Sequence, residues 1–294
     1  MVNLFLQYLQ YERRCSPHTL SAYQRDLEQF THYLSTAYEL SATEEASFSM
    51  IRSWIVSLVE QKMEATSINR KIATLRSFYK FLLKKKSISQ DPMQKVVALK
   101  TSRSLPAFVD EQPMALLLDH IEFPSDFSGL RDKFILELLY GTGIRLSELI
   151  NLKEGDINSH DQVVKVTGKG NKQRIVPIHN SLLPLLETYS LGKRSQFEGK
   201  SVVDYLIVTD KGEQSYPMMI QRIVKKYLDM ITTIEKRSPH ILRHSFATHL
   251  LNKGADLNAI KDLLGHASLG ATQVYTHNSL DRLKQVFEQA HPKA

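Results

Sequence analysis

The chain has 294 residues, of which 42% are hydrophobic and 23% are charged, a composition typical of a globular protein. No apolar run approaches the roughly 20 residues that span a bilayer, and the N-terminus lacks the pattern of a secretory signal. We therefore expect a cytoplasmic protein without a membrane span. The single cysteine, Cys15, excludes an internal disulfide. The net charge of +7 favours binding to a polyanion, because Lys and Arg displace counterions condensed on nucleic acid.

Residues 1–100 hold most of this charge, with 14 Lys and Arg against 9 Asp and Glu, which leaves +5. Their apolar residues recur at helical spacing, which predicts a helical domain. One helix begins with Ser16 as its cap and Pro17 in its first turn. A second helix is predicted near Met50 to Glu60, and a third from about Thr66 to Lys84.

The third helix has a basic face. The basic residues that we assign to DNA binding in this region are Arg70, Arg76, Lys80 and Lys84. Such a face either follows a phosphate backbone or is a solvated surface, and we favour DNA contact. Helical periodicity weakens after it, and Pro92 and Pro106 break helical runs. We therefore predict a DNA-binding domain at residues 1–88, a linker at 89–106 and a second domain at 107–294.

The second domain is predicted to be mainly helical with a small antiparallel β-sheet, an α+β arrangement. A strand at Val163–Val166, a turn at Gly168–Asn171 and a strand at Arg174–Ile178 form a hairpin. Lys169 lies at its tip. A flexible ammonium there either reaches into a groove and protonates a leaving oxygen or serves solubility alone.

Three further segments contain candidates for chemistry. Arg145 follows a turn that contains Gly141 and Gly143, where an arginine is either catalytic or an ordinary ion-pair partner. Near the C-terminus, Gly265 is expected to end a helix, and Tyr275 is expected about two turns into the next one, capped by Ser268. A tyrosine in a C-terminal helix is also a common packing residue.

The remaining segment begins with Ser238 and Pro239, which predict the start of a helix. His240 then falls in the first turn, where backbone N–H groups attract phosphate, and Arg243 shares its face. His240 and His244 have the i, i+4 spacing of zinc ligands on a helix. A metal site is disfavoured, because Arg243 adds a positive charge and no Glu follows the first His.

Together these segments resemble the tyrosine recombinase family, and within it the Xer chromosome-dimer recombinases. The matching motifs are Thr-Gly-x-Arg-x-Ser-Glu-Leu at 142–149, Gly-Lys-Gly-x-Lys-x-Arg at 168–174, His-x-Leu-Arg-His at 240–244, and Leu-Gly-His and Tyr-Thr-His between 264 and 277. The resemblance covers nearly the whole chain. It implies a helical SAM-like core-binding domain followed by a tyrosine recombinase catalytic domain.

The resemblance also implies catalytic roles for Arg145, Lys169, His240, Arg243, His266 and the nucleophile Tyr275, with Lys172 and Arg174 as further DNA-binding residues. It implies cleavage and rejoining of a double-stranded recombination site through a 3′-phosphotyrosyl intermediate, with neither a cofactor nor a metal. The expected assembly is a tetramer on two DNA sites, formed with itself or a second Xer recombinase. An activating DNA translocase of the FtsK type is a further expected partner.

Three alternatives remain open from the sequence. Type IB topoisomerases look similar but usually carry lysine at the position of His240, which disfavours that reading. The chain could instead be the integrase of a mobile element, or a DNA-binding protein that has lost catalysis. The C-terminal apolar stripe, which includes Val286 and Phe287, either packs within its own subunit or docks on a neighbour.

Overall fold

The structure, a computed structural model, describes residues 1–101, 107–200, 202–265 and 277–292, except for the side chains of residues 169 and 277–283. The chain divides into two compact units, Met1–Ser104 and Leu105–Ala294. Within the described residues, no helix is both long enough and apolar enough to cross a membrane.

The N-terminal unit is entirely helical in its described elements. Its helices are α1 (Val2–Gln7), which continues as a π-helical turn over Tyr8–Glu12, α2 (Pro17–Tyr38), α3 (Phe48–Glu60) and α4 (Ala65–Lys84). The three helices predicted from apolar spacing are confirmed. Ser16 caps α2 as expected, since its Oγ accepts a hydrogen bond from the N–H of Thr19 at 3.3 Å.

Aromatic packing and one buried carboxylate hold this unit together. Phe5 lies edge-on to Phe78 with 5.4 Å between ring centroids, which joins α1 to α4. Asp26 of α2 is 1% exposed and accepts hydrogen bonds from Lys71 at 2.9 Å and Thr74 at 2.8 Å, both on α4. Arg70 also donates to Asp26. The carboxylate is therefore compensated by two cations and fixes α2 against α4.

The C-terminal unit is mainly helical with one small sheet, and this predicted fold class is confirmed. Its helices are α5 (Glu111–Ala115), which continues as a π-helical turn over Leu116–His120, α6 (Phe127–Thr142), α7 (Leu146–Asn151), α8 (Leu182–Gln196), α9 (Pro217–Leu228), α10 (Pro239–Asn252), α11 (Leu257–Leu264) and α12 (His277–Ala290).

The sheet contains the predicted hairpin. Its strands are β1 (Ile157–Asn158), β2 (Val163–Thr167) and β3 (Gln173–Pro177), all antiparallel and in the order β1-β2-β3. The turn between β2 and β3 is closed by a 2.7 Å hydrogen bond from the N–H of Gly168 to the carbonyl of Lys172. Strand β1 was not predicted, because two residues are too few to show the period-2 alternation of a strand.

Contacts of α6 with α8 and with α10 fix the positions of these helices relative to one another. Phe134 of α6 stacks on Tyr189 of α8 with 4.8 Å between centroids. On the other side of α6, the hydroxyl of Tyr140 lies 2.8 Å from Nδ1 of His249 on α10, and both residues are buried. This bond fixes α6 against α10. The turn that follows α6 therefore lies beside the first turns of α10.

The C-terminal helix α12 packs on its own unit in this structure. Phe287 is 1% exposed and lies 6.4 Å, centroid to centroid, from Phe246 of α10. His291 follows, with its Nε2 atom 3.0 Å from the carbonyl oxygen of Gly141. The helix lies on its own subunit in this single chain, and docking on a neighbouring subunit stays a prediction.

Candidate active site

Arg145 is held at the start of α7 by the residue three positions after it. Its backbone N–H donates to Oε2 of Glu148 at 2.7 Å, and its Nη1 donates to Oε1 at 2.9 Å. Its Nη2 donates to the carbonyl of Gly265 at 2.9 Å. The side chain of Arg145 remains 38% exposed. Its guanidinium is thus fixed by protein contacts and still accessible to a ligand.

A glycine makes the turn before Arg145 possible. Gly143 ends α6 with φ at +61°, and a Cβ there would lie 2.5 Å from a ring carbon of Phe246. A larger residue would be strained in the backbone and would clash with α10. The sequence prediction that glycine shapes this turn is therefore supported by a specific contact.

Arg243 points into the protein from α10. It is 6% exposed, its Nη1 donates to the carbonyl of Gly143 at 2.5 Å, and its Nη2 donates to the carbonyl of Leu264 at 2.6 Å. Arg145 and Arg243 therefore bind the carbonyls of two consecutive residues, Leu264 and Gly265, at the end of α11. A guanidinium has five N–H donors, so these two bonds occupy two of those that Arg243 carries.

Glu148 is the buried carboxylate between the arginines. It receives two further hydrogen bonds from Arg174, at 2.6 Å to Oε1 and 2.9 Å to Oε2. Burial alone would raise the pKa of Glu148, but the hydrogen bonds and charge of Arg174, together with hydrogen bonds from Arg145, lower it below its usual value. Glu148 is therefore an anion at neutral pH.

Arg174 is a predicted DNA-binding residue that the structure places inside the C-terminal unit. We expected it to bind DNA, but the residue is 7% exposed and its Nε also donates to the carbonyl of Leu263 at 2.9 Å. Strand β3 directs this side chain inward because the hydrogen-bonding groups of α7 and α11 lie on that side. Its guanidinium therefore contacts other residues of the same unit in this structure.

The site as a whole carries excess positive charge. Three guanidinium groups, from Arg145, Arg174 and Arg243, surround the single carboxylate of Glu148. Burial, together with the charges of Arg145 and Arg174, lowers the pKa of Arg243 to about 10, and the charge of Glu148 opposes this shift. An added anion would relieve this repulsion, so the arrangement favours binding of a group such as a phosphate.

Of the other predicted catalytic residues, two belong to described elements and two lie outside the described residues. His240 is exposed in the first turn of α10, whereas Arg243 is buried, so their side chains lie in different environments. Ser238 occupies the cap position of α10 without a capping hydrogen bond from its side chain. The backbone of Lys169 lies in the turn between β2 and β3. His266, Ser268 and Tyr275 lie outside the described residues.

The histidine pair considered for zinc consists of the exposed His240 and the half-buried His244. His244 is half-buried, and burial, followed by the charge of His240, lowers its pKa. Across the part of the chain that the structure describes, no group of three or more His, Cys, Asp or Glu side chains could hold a metal ion.

Most of the predicted DNA-binding residues in the two units are exposed. Arg70, Arg76, Lys80 and Lys84 on α4 are exposed, and we call these four residues the α4 basic stripe. Asp26 holds Arg70, and Nη2 of Arg76 donates to the carbonyl of Val96 at 3.0 Å. In the C-terminal unit, Lys172 is exposed on the hairpin.

Glu148 is the residue whose role sequence reasoning missed. It lies within the quoted motif at 142–149, but no function was assigned to it. The available signal was its position at the third residue of α7, where a Glu commonly accepts a hydrogen bond from the capping residue's N–H. That signal predicts the cap and says nothing of Arg174, which is 26 residues away in the chain.

Comparison with known proteins agrees with these motifs. The profile described as "Phage integrase family" matches residues 107–282, and that described as "Phage integrase, N-terminal SAM-like domain" matches residues 2–86. Similar curated proteins include tyrosine recombinase XerC of Pelobacter propionicus, 41% identical over 100% of this chain and 95% of the relative. Tyrosine recombinase XerD of Staphylococcus haemolyticus is 36% identical over 100% of this chain and 99% of the relative.

Solved structures share the fold. A crystal structure of the XerH site-specific recombinase, bound to a palindromic difH substrate after cleavage, matches 97% of this chain and 83% of that chain with a TM-score of 0.72 at 22% identity. A lambda integrase dimer bound to a core site matches 93% of this chain and 98% of that chain with a TM-score of 0.70 at 17% identity.

The chain therefore belongs to the phage integrase family, the tyrosine-type site-specific DNA recombinases. Within that family, its full-length similarity to XerC and XerD proteins makes it an enzyme of the Xer type.

Replacing Glu148 by Gln should destabilise the C-terminal unit by about 3 kcal/mol at pH 7, because two guanidinium groups would lose their shared anion. Urea unfolding measures this change. The exposed Glu187→Gln variant of the same unit is the control and should match wild type.

The loss of unfolding free energy in Glu148→Gln should become smaller as the pH falls. Because the folded-state pKa of Glu148 is lowered, its contribution is present above the unfolded-state pKa of about 4.3 and is lost as the pH falls through the folded value. The difference in unfolding free energy between wild type and Glu148→Gln should therefore be smaller in acid than at pH 7. Equal unfolding free energies at pH 7 would contradict the assigned ion network.

Proposed function

We propose that this recombinase cleaves and rejoins DNA through Tyr275, with Arg145 and Arg243 binding the scissile phosphate. The observation that carries the proposal is the pair of guanidinium groups on the consecutive carbonyls of Leu264 and Gly265. Phosphoryl transfer places negative charge on two non-bridging oxygens. Preorganised arginines stabilise that charge without reorganising during the reaction.

The reaction then exchanges one phosphodiester bond for another. The phenolic oxygen of Tyr275 attacks phosphorus, the bond to the 5′ oxygen breaks, and a 3′-phosphotyrosyl linkage forms. The pKa of an ordinary tyrosine is about 10, so the phenol needs the cationic pocket or a base to lose its proton, and His240 is the proposed base. His266 is proposed to hydrogen-bond the same phosphate.

Lys169 is the proposed acid for the leaving group. The hairpin of β2 and β3 carries its backbone in the connecting turn, where Gly170 and Asn171 have φ values of +74° and +59°. An ammonium on this turn would give a proton to the departing 5′ oxygen. The phosphotyrosyl linkage conserves the energy of the broken bond, and the reverse reaction with a new 5′ hydroxyl rejoins the strand.

The two units are proposed to divide the work. Residues 1–88 would form the core-binding domain, 89–106 a linker and 107–294 the catalytic domain, so that DNA contacts both the α4 basic stripe and the exposed Lys172. We further propose that the substrate is a dif-like site, that a tetramer on two sites carries out the exchange, and that an FtsK-like translocase activates it in the cytoplasm. The support is the full-length similarity to XerC and XerD proteins. Integration of a mobile element is the alternative function.

The nucleophile is tested by incubating wild-type and Tyr275→Phe protein with nicked, labelled DNA that carries a candidate dif-like site. Denaturing gels should show a protein-linked strand for wild type and none for Tyr275→Phe, because phenylalanine has no oxygen to bond to phosphorus. Tyr216→Phe, at an exposed tyrosine of the same unit, is the matched control and should give the wild-type band.

Each other result contradicts part of the proposal. A linked strand with Tyr275→Phe would place the nucleophile elsewhere. DNA binding without a linked strand for wild type, even with a second recombinase and a translocase added, would favour a DNA-binding protein without catalysis.

The α4 basic stripe is tested by the salt dependence of binding. In a Lys80→Ala and Lys84→Ala double variant, the negative slope of log K against log salt should become shallower by about 0.9 for each lost phosphate contact. Affinity should weaken similarly on specific and unrelated DNA, because phosphate contacts carry no base information. The paired control is Lys200→Ala with Lys211→Ala, both exposed in the other unit. An unchanged slope in the stripe variant would make these lysines a solvated surface only.

A further inference from the structure

Arg174 connects three separate segments of the C-terminal unit. It lies on β3, immediately after the hairpin turn that carries Lys169. Its Nη1 and Nη2 donate to the two carboxylate oxygens of Glu148 on α7, and its Nε donates to the carbonyl of Leu263 at the end of α11. One side chain thus joins the segments that lead to Lys169, to Arg145 and to position 266.

The backbone is closely fitted around this side chain. Gly265 has φ at +64°, and a Cβ there would lie 3.0 Å from Cδ and 3.1 Å from Nε of Arg174. At Gly168, a Cβ would lie 3.2 Å from Oε1 of Glu148. Both glycines flank proposed catalytic positions, Lys169 and His266. The backbone therefore lies close to the Arg174–Glu148 ion pair at Gly168 and at Gly265.

The contacts of Arg174 differ in kind from those of a ligand-binding arginine. All three of its guanidinium nitrogens donate to protein oxygens, two of them to the Glu148 carboxylate, whereas Nη1 and Nη2 of Arg243 both donate to uncharged backbone carbonyls. The charge of Arg174 reaches Arg145 through Glu148, since both oxygens of Glu148 accept from Arg174 and from Arg145.

We propose that Arg174 is a positioning residue for strand cleavage, which holds Arg145 in place through Glu148. The inference rests on the proposed function of Arg145. Without Arg174, Glu148 would retain Arg145 as its partner in the network, and α11 would lose a hydrogen bond that ties it to β3. Arg145 would then move relative to the carbonyl of Gly265, and displacement of a catalytic group by about 1 Å can slow a reaction about 100-fold.

The test is a double-mutant cycle on single-turnover formation of the covalent complex, with DNA affinity measured in parallel. Arg174→Met should cleave about 100-fold more slowly than wild type while binding the site with near wild-type affinity. Arg145→Ala should slow cleavage on the order of 1000-fold. The combined variant should be slower than Arg145→Ala by no more than about twofold, because Arg174 acts through a group already removed.

A second readout separates positioning from general loss of structure. Replacing a non-bridging oxygen of the scissile phosphate by a methyl group removes charge that Arg145 is proposed to stabilise. The methyl group can replace either non-bridging oxygen, which gives two isomers of the substrate. On the isomer that restores the cleavage rate of Arg145→Ala most, the cleavage rate of Arg174→Met should also come closer to that of wild type. A misfolded site would remain slow on both substrates.

Two further variants keep the result interpretable. Arg174→Lys retains the charge but lacks the planar fork that fits both Glu148 oxygens, so it should bind DNA and cleave at an intermediate rate. Arg131→Met removes an equally buried arginine, paired with Asp210, from the same unit and should cleave nearly normally once folded.

The outcomes are distinguishable. Additive effects of Arg145→Ala and Arg174→Met, or equal losses in Arg131→Met and Arg174→Met, would overturn the role of Arg174 while leaving the proposed function intact. A wild-type protein that forms no covalent complex would overturn the proposed function and this assignment with it.

Discussion

The carboxylate of Glu148 is buried among guanidinium groups, and the arrangement of the site depends on how its charge is compensated. An isolated carboxylate in the interior would be strongly destabilising, yet here four hydrogen bonds from Arg145 and Arg174 saturate its two oxygens. Removing either arginine would leave the anion partly uncompensated. The same contacts hold Arg145 with its side chain open to a ligand, so stability and ligand binding share one network.

Backbone carbonyls also hold the arginines in place. The end of α11 supplies the carbonyls of residues 263, 264 and 265 to Arg174, Arg243 and Arg145 respectively. Three cations therefore converge on one helix C-terminus, where the helix dipole is negative and favours them. The close approach requires Gly265, whose Cβ-free backbone leaves room for Arg174. The segment that follows, which contains His266 and Tyr275, thus begins from a position fixed by all three arginines.

The sequence predicted the helices and the hairpin well, because those depend on local patterns. Apolar spacing located α2, α3 and α4, and the glycine-rich turn located the hairpin. The direction of a side chain depends on tertiary packing, and the sequence did not predict which basic residues point into the protein. Arg174 carries the same charge as Lys172 in the same strand region, but only the structure places one inside, against Glu148, and the other in solvent. The contact between residues 148 and 174 leaves no periodic signal, and β1 is too short to leave one.

The central claim is that Arg145 and Arg243 are held on adjacent carbonyls in order to bind the scissile phosphate. The most direct measurement is the single-turnover rate of covalent complex formation by Arg243→Ala, with the dissociation constant for the same DNA measured alongside and Arg131→Ala as a control for loss of a buried arginine. We expect near wild-type affinity and cleavage slowed on the order of 1000-fold for Arg243→Ala alone. Cleavage at nearly the wild-type rate by folded Arg243→Ala protein would contradict it.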